Sequence, residues 1–524
     1  MLIKKLVVFG IFLIIPLNEA YRILVVFPLG SRSHAILGQG FVKHLLDAGH
    51  EVVHITSFPN DKPVPNLKEI SVASITEKYK EKTEEYDMFK LKNMVGKSNI
   101  GDSLFFLFFP YDFHKQFLNV PAVQELLTDP KEKFDAVVIE WFFHDAVAGI
   151  ASLFQSPLIW VGSTEAHWQV LNAIDEIPNP SYSVNIFSTT VPPLDFWGRI
   201  VELWSLVKKF VIIKCVVVPF ENFLYNGVFP ELAAKRGITM PSYDESVYNA
   251  SLLLLNSHPS FGIPYKLPQN AKYIGGYHID PKVKPLPENL QQIMDRAEHG
   301  VIYFSMGSNL RSADMSDYMR NSLLRMFGKL KETVIWKFED DSANVPTNVH
   351  LVKWAPQQSI LAHQNLKMFI THGGQLSTTE AVHYGVPLIG IPVMADQHVN
   401  MMAVVQKGFA LKVTLTENLA EPLYKAITNI LNNPNFKAKA KEMSMIYHDR
   451  PVSPGTELVY WVEHVVRTRG ALHLRSPALH VSWYQKMYLD LAIILIIKVL
   501  VLKLIWNKIF NRKPLKTKLK VKKH

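Results

Sequence analysis

Two places in this 524-residue chain combine residue types that could do chemistry. The first is His372-Gly373-Gly374, which joins the apolar run 368–371 to a stretch of helical composition. A helix starting there leaves backbone N–H groups free at the positive end of its dipole, and that end favours phosphate oxygens. Glycines let a ligand approach the backbone. On such a helix Gly373, Ser377 and Glu380 fall at i, i+4 and i+7, so one face presents a hydroxyl and a carboxylate. The second place is His34, just past the apolar run 21–28. Open α/β sheets bind ligands beyond the carboxyl ends of their strands. An imidazole with a pKa near ~6.5 can take a proton at neutral pH. Such a base needs a carboxylate to orient it. The chain has 20 histidines, so position, not number, singles this one out.

The elements that must hold these residues are legible as alternating apolar runs and amphipathic stretches. Residues 21–28 form a buried strand, 29–32 a loop, and Leu37, Phe41, Leu45 and Ala48 give the next helix an apolar side that ends at Gly49. Residues 51–57 form the second strand of this βαβ opening. It lacks G-x-G-x-x-G, which argues against a nicotinamide-dependent oxidoreductase. Residues 134–140 and 251–256 supply further strands, the latter read as the last of the first half. Between them, 197–223 reads as an amphipathic helix near a membrane, broken by Lys208, Lys209, Lys214 and Pro219. The aromatic run 104–109 reads as core, with the lining of an acceptor pocket or a stretch that meets a membrane as the alternatives. In the second half, strands at 300–305, 333–337, 349–353, 368–371 and 386–392 alternate with helices at 318–330 and 375–384.

The stretch 354–397 carries WAPQ, a spaced His363, THGG, Ser377, Glu380, GVP and DQ, and this constellation resembles the donor-sugar signature of the UDP-glycosyltransferase family. The resemblance implies two Rossmann-like domains facing across a cleft, the GT-B type. It implies that Trp354 stacks on uracil and that Gln357 lies near the uridine. Ser308, His372, Gly373 and Gly374 hold the diphosphate, with Ser377 on the same helix face. Glu380 accepts from the ribose hydroxyls, and Asp396 and Gln397 bind the sugar. Phe27-Pro28 followed by Ser33-His34, with Gly49-His50 closing the helix, resembles the family's opening strand, base and helix. The matching histidine there deprotonates the acceptor. Its partner carboxylate follows at the end of a strand, which puts Glu140 in that position, with Asp145 five residues later as a rival. One departure is Leu376, where many members carry Asn, which removes a side-chain hydrogen bond near the phosphate.

Composition sets the frame. A 48% hydrophobic, 19% charged chain of this length supports large cores and two domains. Lys4-Lys5, the apolar run 6–16 and Asn18-Glu19-Ala20 read as a signal peptide. Residues 489–506 read as a transmembrane helix despite Lys498 and Lys503. Eight cations from Lys508 to Lys523 account for most of the net charge of +10, so the high pI gives no support to nucleic-acid binding. The basic tail predicts a cytoplasmic end and a lumenal body, and its lysines three and five from the C-terminus resemble a dilysine endoplasmic-reticulum retrieval signal. The single cysteine, Cys215, excludes an intrachain disulfide and a thiolate metal cluster. Asn249-Ala250-Ser251 is a glycosylation sequon.

The expected organisation is a signal peptide at 1–20, an acceptor domain at 21–275, a linker at 276–297 and a UDP-sugar domain at 298–455. A return helix and connector follow at 456–486, then a membrane helix at 487–506 and a tail at 507–524. The expected activity is inverting transfer of a hexose from a UDP-sugar, foremost UDP-glucose, to a hydroxyl of a small lipophilic acceptor, as in the family's detoxifying members. The alternatives are glucuronosyl transfer and a non-catalytic UDP-sugar or lipophile-binding relative. No metal or cofactor is expected, because the UDP-sugar is a co-substrate. A homo-oligomer is left open.

Overall fold

The computed structural model describes residues 20–85, 90–97, 105–174, 176, 178–340 and 344–510. The expected signal peptide and residues 511–524 of the basic tail lie outside the described residues. The chain separates into two compact units, Met1–Leu474 and Arg475–His524.

The first unit contains two all-parallel sheets. One has seven strands: β1 (Arg22–Phe27), β2 (Glu51–Thr56), β3 (Leu67–Ser71), β4 (Ala136–Trp141), β5 (Leu158–Gly162), β6 (Ala250–Leu255) and β7 (Ala271–Tyr273). Their order is β3-β2-β1-β4-β5-β6-β7. The other has six: β8 (Val301–Ser305), β9 (Thr333–Lys337), β10 (Val349–Val352), β11 (Leu366–Thr371), β12 (Leu388–Gly390) and β13 (Ala410–Lys412), in the order β10-β9-β8-β11-β12-β13. Parallel strands covered on both faces read as continuous apolar runs, and β4, β5, β6 and β8 are buried at every position. The edge strand β7 corrects the sequence reading of where the first sheet ends. It adds one more strand beyond β6, and its last residue, Tyr273, still precedes the expected linker.

Each sheet changes winding direction once, between β1 and β4 and between β8 and β11. At such a switch point the two chain segments leave in opposite directions and open a crevice. Helix α1 (Arg32–Asp47) starts after β1 and buries Leu37, Phe41 and Leu45. Gly49 ends it at φ +91°, where His50 N–H donates back to the Leu45 carbonyl.

Two consecutive helices, α2 (Phe196–Ile212) and α3 (Val218–Arg236), are joined by a π-helical turn at Ile213–Val217. In the second domain α4 (Gln375–Tyr384) follows β11, and α5 (Gln397–Gln406) follows β12. The return helix α6 (Pro454–Arg467) sets Leu458, Val462 and Val465 into the first domain's core beside Phe41 and Leu45.

In the second unit, residues 489–510 form the helix α7 (Leu489–Phe510). Among the described residues no helix is long and apolar enough to cross a membrane. The expected transmembrane helix is therefore corrected. The segment is helical, but Asp490, Lys498, Lys503 and Lys508 interrupt every span-length window, and a charge near a bilayer centre costs about 2.5–3.5 kcal/mol.

Candidate active site

The two switch points face one cleft of about 1330 Å³. On the first domain's side, His34 stands in the first turn of α1 and Glu140 near the end of β4. The pairing of β1 with β4 sets Val26 beside Ile139, so the residues leaving both strands meet. The His34 Nδ1 hydrogen-bonds Glu140 Oε1. A carboxylate only accepts, so Nδ1 carries the proton and Nε2 keeps its lone pair. Glu140 is 2% exposed, which makes the pair a fixed one. Phe142 packs edge-on against the imidazole, with ring centres 5.4 Å apart. Burial lowers the His34 pKa, but the charge and hydrogen bond of Glu140, with a smaller contribution from Asp396, outweigh it and raise the pKa above 6.5.

Asp145, the rival partner, is placed elsewhere. Its Oδ1 accepts from Trp141 Nε1 at 2.6 Å, and its backbone N–H donates to Glu221. Burial pushes its pKa up to about 6.

On the opposite side, β8 and β11 pair with Ser305 beside Thr371, so the turns after them are adjacent. The His372 ring lies between Gly307 and Gly374. A Cβ at either glycine would come within 2.5 Å of the ring. Gly307 and Gly373 hold φ of +86° and +83°, a region only glycine enters freely. Burial, and then Lys337, lower the His372 pKa to about 4, so the ring is neutral at pH 7. Ser308 is exposed on the same loop.

Glu380, one turn before the end of α4, accepts from Gln357 Nε2 at 2.6 Å and from Gln358 Nε2 at 3.1 Å. His278 Nε2 is 3.5 Å from it, and Ser377 Oγ accepts from Gln357 at 3.3 Å. Trp354 is 60% exposed at the cleft, with Lys337 Nζ 5.7 Å from its ring centre. Asp396 caps α5 and accepts from Asn400 Nδ2 at 2.7 Å. Burial raises its pKa, and the facing charge of His34 opposes that rise. The Gln397 amide oxygen is committed to its own loop, accepting from the backbone of Val393 at 2.8 Å and Met394 at 3.0 Å. Asn249 is exposed just before β6, away from these groups in the sequence.

The structure adds residues the sequence reading missed. Gln358 and His278 flank Glu380. Asn400 ties Asp396 to the Gly373 carbonyl, which it reaches at 3.2 Å; its i+4 spacing from Asp396 was the available signal. Lys337 Nζ donates to the Gly307 carbonyl and Glu339, both at 2.9 Å. Among the contacts that join the two domains, Ser31 Oγ donates to Asn309 Oδ1 at 2.9 Å, Gln375 Nε2 donates to the Asn256 carbonyl at 2.9 Å and Glu165 at 3.3 Å, and Gln406 Nε2 donates to the Pro192 carbonyl at 2.8 Å. Leu376, where an asparagine was the family pattern, packs against the first domain's core instead.

The family model described as "UDP-glucoronosyl and UDP-glucosyl transferase" matches residues 22–524. The chain belongs to this family. Among relatives of the UDP-glycosyltransferase, "UDP-glucosyltransferase 2" of Dactylopius coccus is 32% identical over 92% of this chain and 90% of its own length. "UDP-glucuronosyltransferase 2B15" of Rattus norvegicus is 36% identical over 74% of this chain and 73% of its own. Two solved structures share the fold. The glycotransferase of kitacinnamycin has a TM-score of 0.56 at 14% identity, covering 86% of this chain and all of its own. UGT89C1 of Arabidopsis thaliana, complexed with UDP-L-rhamnose, has a TM-score of 0.54 at 13% identity, covering 87% and 100%. The UDP-glycosyltransferase thus carries the GT-B fold of two Rossmann-like domains.

Proposed function

We propose that this enzyme transfers glucose from UDP-glucose, with inversion, to a hydroxyl of a small lipophilic acceptor. The observation that carries the reading is the His34–Glu140 pair facing Asp396 across the cleft. His34 Nε2 removes the acceptor's proton as its oxygen attacks the anomeric carbon, and the bond from that carbon to the diphosphate oxygen breaks. Glu140 stabilises the imidazolium that forms. UDP leaves with the electron pair, its charge met by the turn at His372–Gly374, the start of α4 and Ser308. Trp354 offers a face for uracil, and Glu380, fixed by Gln357 and Gln358, an acceptor for the ribose hydroxyls. Ser377 steadies Gln357, and Asp396 with Gln397 meets the sugar.

Asp396 also supports a neutral sugar. It faces His34 rather than a lysine or arginine, and a second carboxylate from glucuronate would face like charge. The relative named UDP-glucuronosyltransferase keeps that donor as the second reading. The acceptor end is walled by Tyr79, Trp141, Phe142, Phe143, His167 and Phe187, which supports an apolar, aromatic acceptor. Burial holds the His167 pKa down to about 3, so that wall is uncharged. Location in the endoplasmic reticulum, with the body lumenal and Asn249 glycosylated, is part of the proposal. It is supported by the signal-like opening.

The test is turnover of wild type and His34→Ala with UDP-glucose and UDP-glucuronate over a panel of hydroxylated acceptors. A loss of transfer in the variant, with UDP binding kept, supports the reading. Equal transfer by both proteins removes the base, and a preference for UDP-glucuronate removes the donor assignment.

A further inference from the structure

Outside the cleft, exposed apolar side chains of the first unit recur along α2, the π-helical turn and α3. Phe196, Trp197, Ile200, Val201, Trp204 and Phe223 are among them. Trp197 is 70%, Trp204 67% and Phe223 74% exposed. From Phe196 to Phe223 the helical path runs about 40 Å at 1.5 Å per residue. Soluble proteins rarely expose contiguous apolar patches beyond a few hundred Å² without a partner.

The charges on this element are arranged around that surface. Arg199 and Lys208 are exposed on α2. The one acid between Phe196 and Phe220 is Glu202, and it is buried. Its carboxylate accepts from the Asn185 backbone at 2.9 Å and from Ser188 Oγ at 2.8 Å, facing into the domain. From Phe196 to Phe220 the outward face is therefore apolar with a cationic fringe and no acid; the exposed acids stand at its ends, Asp195 at the N-cap of α2 and Glu231 near the end of α3, where it pairs with Lys235. The inner face of α3 buries Leu224, Tyr225 and Phe229 in the domain core, so this helix pair cannot leave the protein to span a bilayer. One apolar face, exposed tryptophans and flanking cations are what lying in a lipid interface requires.

We infer that the outer face of α2 and α3 is a lipid-binding surface that seats the catalytic body on an anionic bilayer interface. A second copy fits it less well, because an isologous pair would bring the cationic fringes together, whereas anionic headgroups complement them. The surface also has a link to the cleft. The segment that Glu202 holds includes Ile186 and Phe187, which line the acceptor end, and Lys209 Nζ sits 4.5 Å from the centre of the Phe187 ring. If the acceptor end is read as above, a lipophilic acceptor dissolved in the bilayer enters one segment away from the lipid. Only this delivery role rests on the proposed function.

Cys215, the chain's one cysteine, is exposed within the same element and reports on it alone. Full-length protein labelled there with an environment-sensitive fluorophore is mixed with phosphatidylcholine vesicles containing phosphatidylserine. The expected result is a blue shift, with stronger quenching by a spin label near the headgroup than by one deep in the acyl chains. Combined Trp197→Glu and Trp204→Glu should abolish the shift while leaving the circular dichroism spectrum and turnover of a water-soluble acceptor unchanged. A label that stays unshifted with vesicles overturns the inference, whatever the terminal helix does. A shift that needs no vesicles and grows with protein concentration assigns the face to self-association and also overturns it. If the label shifts but no UDP-sugar is turned over, the lipid surface stands and the proposed function falls.

Discussion

Replacing Glu140 with Gln isolates what the carboxylate does for His34. The variant keeps the side chain's size and a carbonyl that can accept from Nδ1, and removes the charge. In the proposed reaction the neutral imidazole is the base, so kcat/KM should rise with pH through the His34 pKa, which Glu140 holds above 6.5. In the variant burial still lowers that pKa and only Asp396 still raises it, so the acid limb of the profile moves to lower pH. The plateau falls as well, because the imidazolium formed in the transition state loses its partner. A charge-assisted hydrogen bond contributes about 1.5–3 kcal/mol. The Coulomb limit for such a pair at an effective dielectric near 20 is about 4 kcal/mol. At ~1.4 kcal/mol per decade, kcat should drop between about 10-fold and 10³-fold. The KM for the UDP-sugar should hold, since Glu140 lies on the acceptor side. The assay is a pH series of initial rates for wild type, Glu140→Gln and Asp145→Asn. A Glu140→Gln plateau within about threefold of wild type, with an unmoved acid limb, refutes the pairing. A selective collapse of Asp145→Asn assigns the orienting role there instead.

Three further outcomes follow from the same geometry. Gly307→Ala puts a methyl 2.5 Å from the His372 ring in a left-handed backbone conformation, so calorimetry should find UDP binding weakened by at least about tenfold. Asp396→Asn removes the acid that meets the sugar in the proposed reaction and should narrow the proposed preference for UDP-glucose over UDP-glucuronate in competition assays; an unchanged ratio sinks the electrostatic account of donor choice. Glu165, buried between the domains, has its pKa pushed up to about 7 by burial. It therefore binds a proton in the folded state that the unfolded chain releases near 4.5. That stability is present below 4.5 and lost as pH rises through about 7. Glu165→Gln should then lose less stability than wild type between pH 5 and 8, by about 3 kcal/mol in urea unfolding.

The donor half of the site could be read from sequence because it is local. β11, the His372–Gly374 turn, α4 and Gly385 follow one another within 20 residues, and each is specified by its own apolar run, turn or cap. The fold class was legible for the same reason, since buried parallel strands are uninterrupted apolar runs. What failed to be legible depends on distance along the chain. Glu140 and Asp145 are five residues apart, and no pattern within that span says which one meets a histidine more than 100 residues earlier; the register of β4 against β1 does. Lys337, Asn309 and Gln375 were invisible as site residues because their partners lie on other strands or on the other domain. The terminal helix failed differently: its apolar count suited a span, but its charges fall too regularly for any window to escape them.

Leu376 joins the legible and illegible halves. It was visible as a departure from the family pattern, and by chemistry it read only as a lost hydrogen bond to phosphate. In the fold it packs into the first domain's core, while its neighbour Gln375 bonds Asn256 and Glu165 of the same domain. The first turn of α4, whose N–H groups meet the diphosphate in the proposed reaction, is thus fastened to the domain that carries His34. Leu376→Asn should therefore do more than restore a donor. It should loosen that fastening, and the two effects separate kinetically. If phosphate contact dominates, KM for the UDP-sugar falls with kcat unchanged. If docking of the domains dominates, kcat falls while UDP alone binds as before, because UDP needs only the second domain and transfer needs both.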